Sequence, residues 1–345
     1  MIRDVGRAKP RAASVMAELF GVPIEAVVAA IYRAPARLLA GLEPGTARRL
    51  VASLAELGLT LDIVPGGGAL DAGPALDLAA EIDDPALADA ATAVIAEFLG
   101  LPQEEALELL MTPPGVIMGN VSAATVEAFA RRLPPGALRL ATADPATSRY
   151  ALFAGGLDAG TRAAVEAVVG ASGTADNGGL VALDLNHEDS NRLWRRLAGT
   201  PGARLVNQAF LRFEMVLTGI AAVDEPTAAA LETLAGVPAE ALPELAGLLP
   251  VVVEDGIPHE RVEARLLDYA AHGLAVTARL ATFAEQVLVV DSGPPEALAL
   301  LGIDTAAALP LRLPPLPAPR ARLARHRLEA AGADVSQFQA PDRAA

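Results

Sequence analysis

"GVPIEA" fills Gly21–Ala26, "GLPQEEA" opens at Gly100 and "GVPAEA" opens at Gly236. The fold turns on how this phrase is read, because a glycine phrase either cradles a phosphate or turns a corner. A phosphate loop needs a strand before it and a fuller glycine spacing. Here "RAASVMAELF" precedes Gly21 and reads as a helix. Glycine ends a helix in the left-handed conformation at little cost. Pro23 suits the first position of a new helix, where its missing N–H would be unpaired in any case. Glu25 then falls in the first turn, where the helix dipole favours negative charge. The phrase therefore predicts a helix–helix corner.

The three phrases stand 79 and 136 residues apart. The longer interval has room for another copy, and Gly170 in "AVEAVVGASGTADNGG" ends an apolar helical pattern there. Gly302, in "ALALLGIDTAAALP", supplies a looser fifth copy. The line after each phrase holds a short apolar segment, a helix start, an amphipathic helix, a glycine turn and a strand-like run. In the first line Ala47, Leu50, Val51, Leu54 and Leu57 recur at intervals of three and four, which puts them on one helix face. Gly58 stops that helix and "LTLDIV" alternates as a strand does. In the fourth line Val262, Leu266, Tyr269 and Ala270 repeat the face, and His272-Gly273 ends it.

The expected fold class is α+β, as about five tandem small β-α-α-β-α-β domains. Their expected bounds are residues 1–65, 78–145, 146–211, 212–283 and 284–339. "PGGGALDAGPALD" supplies a linker over 66–77, and 340–345 is expected to be a disordered tail. The third domain is degenerate: "GASGTADNGG" replaces most of its second helix with a flexible loop. Domains of this size are marginal alone, so neighbours are expected to bury their faces.

Composition narrows the function classes. Of the 345 residues, 52 % are hydrophobic but only 3 % aromatic, so packed small-residue cores are expected and stacking platforms for bases are scarce. A net charge of −15 opposes binding to phosphate backbones, so no nucleic-acid partner is expected. There is no cysteine, which excludes disulfides, thiolate metal sites and thiol catalysis. Neither a signal-peptide core nor a membrane-length apolar run is read, and a soluble cytoplasmic protein is expected.

Residues with chemical potential have simpler readings beside the functional ones. In "LDLNHEDSNRLW", His187-Glu188-Asp189 suggests a metal or acid–base cluster, but Asn186 as N-cap with Asp189 three residues on makes a capping box. His259 follows Pro258 at another helix start, and His272 lies in a last turn. The four histidines lack metal-binding spacing and no serine sits in a nucleophile elbow, so no catalytic, cofactor or metal residues are assigned. Asp83-Asp84 reads as a solvated loop. Two partner-binding candidates remain. Arg320, Arg322, Arg325 and Arg327, with His326, form a basic helix face that suits an acidic partner or another copy, against the plainer reading of a solvated face. Trp194, the sole tryptophan, is an interface residue or, in the commoner case, a core residue.

The stretch Ala13–Val64 resembles, without gaps, the C-terminal domain of the bacterial ribosomal stalk protein, through Gly21, Ala34-Pro35, Gly41-Leu42 and Leu57-Gly58. The fourth stretch matches comparably through Gly236, Pro250, Gly256-Ile257 and Gly273; the second and fifth match in their second halves, the third faintly. The same fold is shared by the adaptor that delivers N-degron substrates to a bacterial protease. The resemblance implies protein recognition. In the stalk family, basic residues on the first two helices contact translational GTPases; the matching positions here are Ser14, Ala17, Glu25 and Val28, none of them basic. The expectation is a non-catalytic interaction scaffold or assembly component whose partners are proteins, other copies included. An adaptor presenting clients to a larger machine is the alternative, and an enzyme with a site near His187 the third.

Overall fold

A computed structural model describes residues 1–65, 71–154, 159–169, 179–197, 199–200, 202–300, 302 and 308–340. Five small antiparallel sheets succeed one another along the described chain. The first segment comprises β1 (Ile2–Asp4), α1 (Arg11–Phe20), α2 (Ile24–Tyr32), α3 (Pro44–Ala55) and β2 (Thr60–Leu61). The second comprises β3 (Leu76–Ile82), α4 (Ala88–Leu99), α5 (Gln103–Met111), β4 (Val116–Val121), α6 (Ala123–Ala130) and β5 (Leu138–Ala143). The third comprises β6 (Tyr150–Phe153), α7 (Ala159–Val169), β7 (Leu180–Leu185), α8 (His187–Leu197) and β8 (Arg204–Asn207). The fourth comprises β9 (Arg212–Ile220), α9 (Glu225–Ala235), α10 (Leu242–Leu248), β10 (Val251–Pro258), α11 (His259–Ala271) and β11 (Leu274–Leu280). The fifth comprises β12 (Glu285–Ser292), α12 (Pro295–Ala299), β13 (Leu311–Arg312), β14 (Leu316–Pro317), α13 (Ala318–Ala330) and β15 (Asp334–Gln339). The chain is α+β. The expected loop over 170–178 and the tail 341–345 lie outside the described residues. β3 begins two residues inside the stretch read as a linker, because Leu76 pairs with Val121 and Asp77 with Ala143.

In the second, third and fourth segments the opening strand is central, in the orders β4-β3-β5, β7-β6-β8 and β10-β9-β11. β12 is likewise flanked, by β15 on one side and the short β13 and β14 on the other. Side-chain chemistry accounts for the joints. Gly21, Gly100 and Gly236 end the first helix of their segments at φ 63°, 73° and 66°, the left-handed region that only glycine enters freely. The helix–helix corner is therefore observed. Pro23, Pro102 and Pro238 sit one position earlier than the first helical turn: each is an extended N-cap, and its carbonyl is free to accept the first helical bonds. Pro258 is shifted in the same way.

A second left-handed residue stands two positions before the cap of the following helix. It is Gly41 before Glu43, Asn120 before Ser122, Asp184 before Asn186 and Gly256 before Pro258. Asparagine and aspartate tolerate this conformation better than other side chains, which is why the position escapes a search for glycine alone. The cap read at Asn186 is observed, and Ser122 caps the preceding segment's helix as well. Thr125 N–H donates to Ser122 Oγ at 3.3 Å, and Asp189 N–H donates to Asn186 Oδ1 at 2.9 Å while Asn186 Nδ2 donates back to Asp189 Oδ2 at 2.8 Å.

Two compact units organise the chain, broader than the expected domains. One is Met1–Ala146 with Pro294–Thr305 and Arg322–Ala333; the other is Thr147–Gly293 with Ala306–Ala321 and Asp334–Ala345. In the first, Phe98 and Phe129 meet edge to face at 5.1 Å, and the Tyr32 hydroxyl donates to the Phe98 carbonyl at 2.8 Å. The Tyr32 carbonyl in turn accepts from Ser122 N–H at 2.9 Å and Thr125 Oγ1 at 2.8 Å, which ties α2 to α6. In the second, Leu152, Leu193 and Leu197 form the core around β6, and Met215, Leu231 and Tyr269 the core around β9. Among the described residues no single helix is long and apolar enough to cross a membrane; α4 with α5 is apolar enough, but the pair bends by 112°.

Candidate functional site

The first and fourth segments share one frame. Gly21 and Gly236, Pro35 and Pro250, Gly41 and Gly256, and Gly58 and Gly273 all lie a constant 215 residues apart (21 to 236). Ile2 bridges Ala36, as Leu217 pairs with Val251 in the same frame; Ile2 also pairs with Leu61, as Leu217 pairs with Val276. The two diverge ahead of that point. β9 continues back from Leu217 to Arg212, whereas β1 begins at Ile2.

The expected strand "LTLDIV" is formed only in part. Only Thr60 and Leu61 are paired, and the last backbone bond on that side runs from Asp62 N–H to the Met1 carbonyl at 3.0 Å. Asp62–Pro65 and Arg37–Leu42 then run without a strand between them. A groove of about 550 Å³ opens between these two stretches and over α3. Its floor is Ala47, Leu50, Val51 and Leu54, the face read from the helical spacing. Its rim is Leu39, Leu42, Ile63 and Val64, each 39–48 % exposed. Leu54 is 2 % exposed, so the floor rests on packed core. The volume falls within the roughly 300–1,000 Å³ of pockets that hold a ligand.

The corresponding place in the fourth segment is closed and polar. Glu254, Arg265 and Tyr269 stand where the first segment has Leu39, Leu50 and Leu54. Both carboxylate oxygens of Glu254 accept from Arg265 at 2.7 Å, and the Tyr269 hydroxyl donates to Oε2 at 2.7 Å. Arg265 Nη2 also donates to the Leu234 carbonyl. Burial, then the bond to Glu254, pushes the Tyr269 phenol above its ordinary pKa.

A second apolar feature lies at the helix corner of the first segment. α1 buries Ala12, Ala13 and Met16, and α2 buries Val27 and Ile31. Val15, Leu19, Val22, Ile24 and Val28 remain 37–60 % exposed on either side of Gly21. Of the two neighbouring valines whose hydrophobic character suits helix packing, Val27 is buried and Val28, which the resemblance matches to the partner face of the stalk family, is 37 % exposed.

The residues singled out in the sequence are dispersed. Arg322 Nη1 lies 3.3 Å from Glu81 Oε1, and Arg327 Nη2 lies 2.7 Å from Asp89 Oδ1, within the first compact unit. Arg325 pairs with Glu329 on its own helix at 2.7 Å, and Arg320 lies in the first turn of α13. The acidic surface that this helix was expected to suit is thus met in part by the chain's own Glu81 and Asp89. Trp194 is 40 % exposed, contrary to the core reading. The buried face of α8 is Ser190, Leu193 and Leu197, and Trp194 falls one residue round from it. His187 Nε2 lies 2.9 Å from Asn191 Nδ2 on the outer face of α8. Asp83 accepts from Arg139 at 2.7 Å and Asp84 caps the turn before α4. The groove went unnoticed in the sequence because its walls, 37–44 and 61–65, are separate stretches that only the fold brings together.

No family model, curated protein or solved structure matches the chain.

Proposed function

We propose that the chain is a non-catalytic protein-interaction scaffold, built from stalk-domain-like units and docking a protein partner at the α1–α2 corner. The observation that carries this reading is the exposure of Val15, Leu19, Val22, Ile24 and Val28 on that corner. Large apolar side chains gathered on a surface mark protein contact sites. The polar groups at the helix starts support the same reading, since Ser122, Asn186 and Asp224 are engaged as caps. The acidic neighbours Glu18 and Glu25 favour a partner that is apolar with a basic rim.

Affinity capture from native lysate tests the proposal, with the double variant Leu19→Glu/Ile24→Glu as the comparison. The expected outcome is a stoichiometric partner on the natural chain and its loss from the variant, with circular dichroism unchanged. Recovery of free chain alone, or of the same partner on both, would overturn the reading.

A further inference from the structure

The second segment shows what meets a helix corner in this chain. We propose that the first corner is met in the same way by a second copy, whose α8 seats Trp194 on the apolar residues around Gly21 and Arg195 on Glu18. This rests on the helix-corner reading and names its partner.

The two corners correspond residue by residue. Glu18 stands three positions before Gly21, as Glu97 stands three before Gly100, and Glu25 stands four after, as Glu104 does. Both glycines are left-handed helix ends. At the second corner the ring of Pro10 lies so close to Gly100 that an added Cβ would come within 2.8 Å of it. Lys9, the neighbour of that ring, places Nζ 3.2 Å from Glu97 Oε1. The ring supplies apolar contact, and the exposed ion pair adds direction more than strength. An apolar ring with a cation beside it is thus what a corner of this kind accepts.

The first corner offers the same groups with more room. A Cβ added at Gly21 would meet nothing within 4 Å. Val15 and Leu19 lie one helical turn apart on α1, and Ile24 and Val28 one turn apart on α2, all exposed. Glu18 and Glu25 are exposed beside them. The space suits a ring larger than proline.

The chain carries a matching pair. Among the exposed large apolar residues described, Trp194 alone adjoins a cationic residue in sequence. Arg195 and Arg196 follow it, exposed in the last turn of α8, whereas Arg192 is engaged by Glu188 and Asp189. A half-exposed tryptophan is a strong anchor for an interface, and arginine against glutamate fixes its orientation. The contact joins two different surfaces, so it is head-to-tail and can pass from copy to copy.

Sedimentation velocity of the full chain over a range of concentrations tests the proposal, with the emission of Trp194, the sole tryptophan, read on the same samples. Mass should rise with concentration while the emission moves to shorter wavelength, as the ring leaves water. Trp194→Ala and Leu19→Glu/Ile24→Glu should each weaken self-association by about tenfold or more. Each variant keeps one of the two surfaces, so their equimolar mixture should form a complex of two chains that grows no further. A chain that stays monomeric, self-association indifferent to Trp194→Ala, or a mixture without a complex would each overturn the proposal. Should the natural chain stay monomeric yet capture a different protein that Leu19→Glu/Ile24→Glu loses, the second copy is overturned as the occupant and the corner reading stands.

Discussion

The first and fourth segments place the same joints at the same spacing and then use the enclosed space in opposite ways. Around α11, the slot is filled by β9 and braced by Glu254, Arg265 and Tyr269. Around α3, leucines occupy those three positions and the slot is open. The comparison teaches that the turn residues set the frame, whereas the side chains at three positions decide whether it is lined by a charge network or by leucines.

The largest effect should come from breaking the closed side. Glu254→Leu leaves Arg265 without its carboxylate and should cost about 3 kcal/mol, the lower end for breaking a largely buried pair. Installing leucine at 254, 265 and 269 together reproduces the first segment and should recover more than half of that loss. Urea unfolding followed by circular dichroism reads both; a neutral Glu254→Leu would show that the network does not brace the slot.

On the open side, Leu54→Ala should cost about 2 kcal/mol, since the residue is buried beneath the groove but its upper neighbours are free to relax. A loss as large as those of fully enclosed leucines would mean that the groove floor is not open as described.

Alkaline pH separates the two segments in a different way. The folded state holds the Tyr269 proton to higher pH than the unfolded chain, whose tyrosine titrates near 10.0. The stability this contributes is complete below that value and is lost as pH rises through the raised folded pKa. Denaturant midpoints of the second unit should therefore fall above pH 10, and Tyr269→Phe should flatten that fall. An unchanged slope in the variant would assign the effect elsewhere.

Smaller effects probe the shared joints. Ser122→Ala removes a buried cap and should cost about 1 kcal/mol by thermal or denaturant melting. Asn120→Gly keeps the left-handed position and should stay within about 0.5 kcal/mol. A large loss there would mean that the side chain, and not the backbone conformation, is what the joint requires.

Much of this frame was legible in the sequence, because it is written in local chemistry. Glycine at a helix end, proline after it, and a polar residue before a periodic apolar face each have one inexpensive conformation. Gly21, Gly236 and the Asn186–Asp189 cap were read on that basis. Long-range pairing was not legible. "LTLDIV" alternates like a strand, yet only Thr60 and Leu61 form one, and alternation carries no information about neighbours. Trp194 failed for a related reason: its hydrophobicity argues burial, but a shift of one residue turns it about 100° round the helix and out of the core. The arginines of α13 read as a free basic face because Glu81 and Asp89, which engage two of them, lie more than two hundred residues away.

The central proposal is that the exposed α1–α2 corner of the first segment docks a protein partner. Affinity capture with the natural chain and with Leu19→Glu/Ile24→Glu, both checked by circular dichroism, tests it most directly. The account predicts a stoichiometric partner on the natural chain and its loss from the folded variant. Recovery of the same partner on both would contradict it.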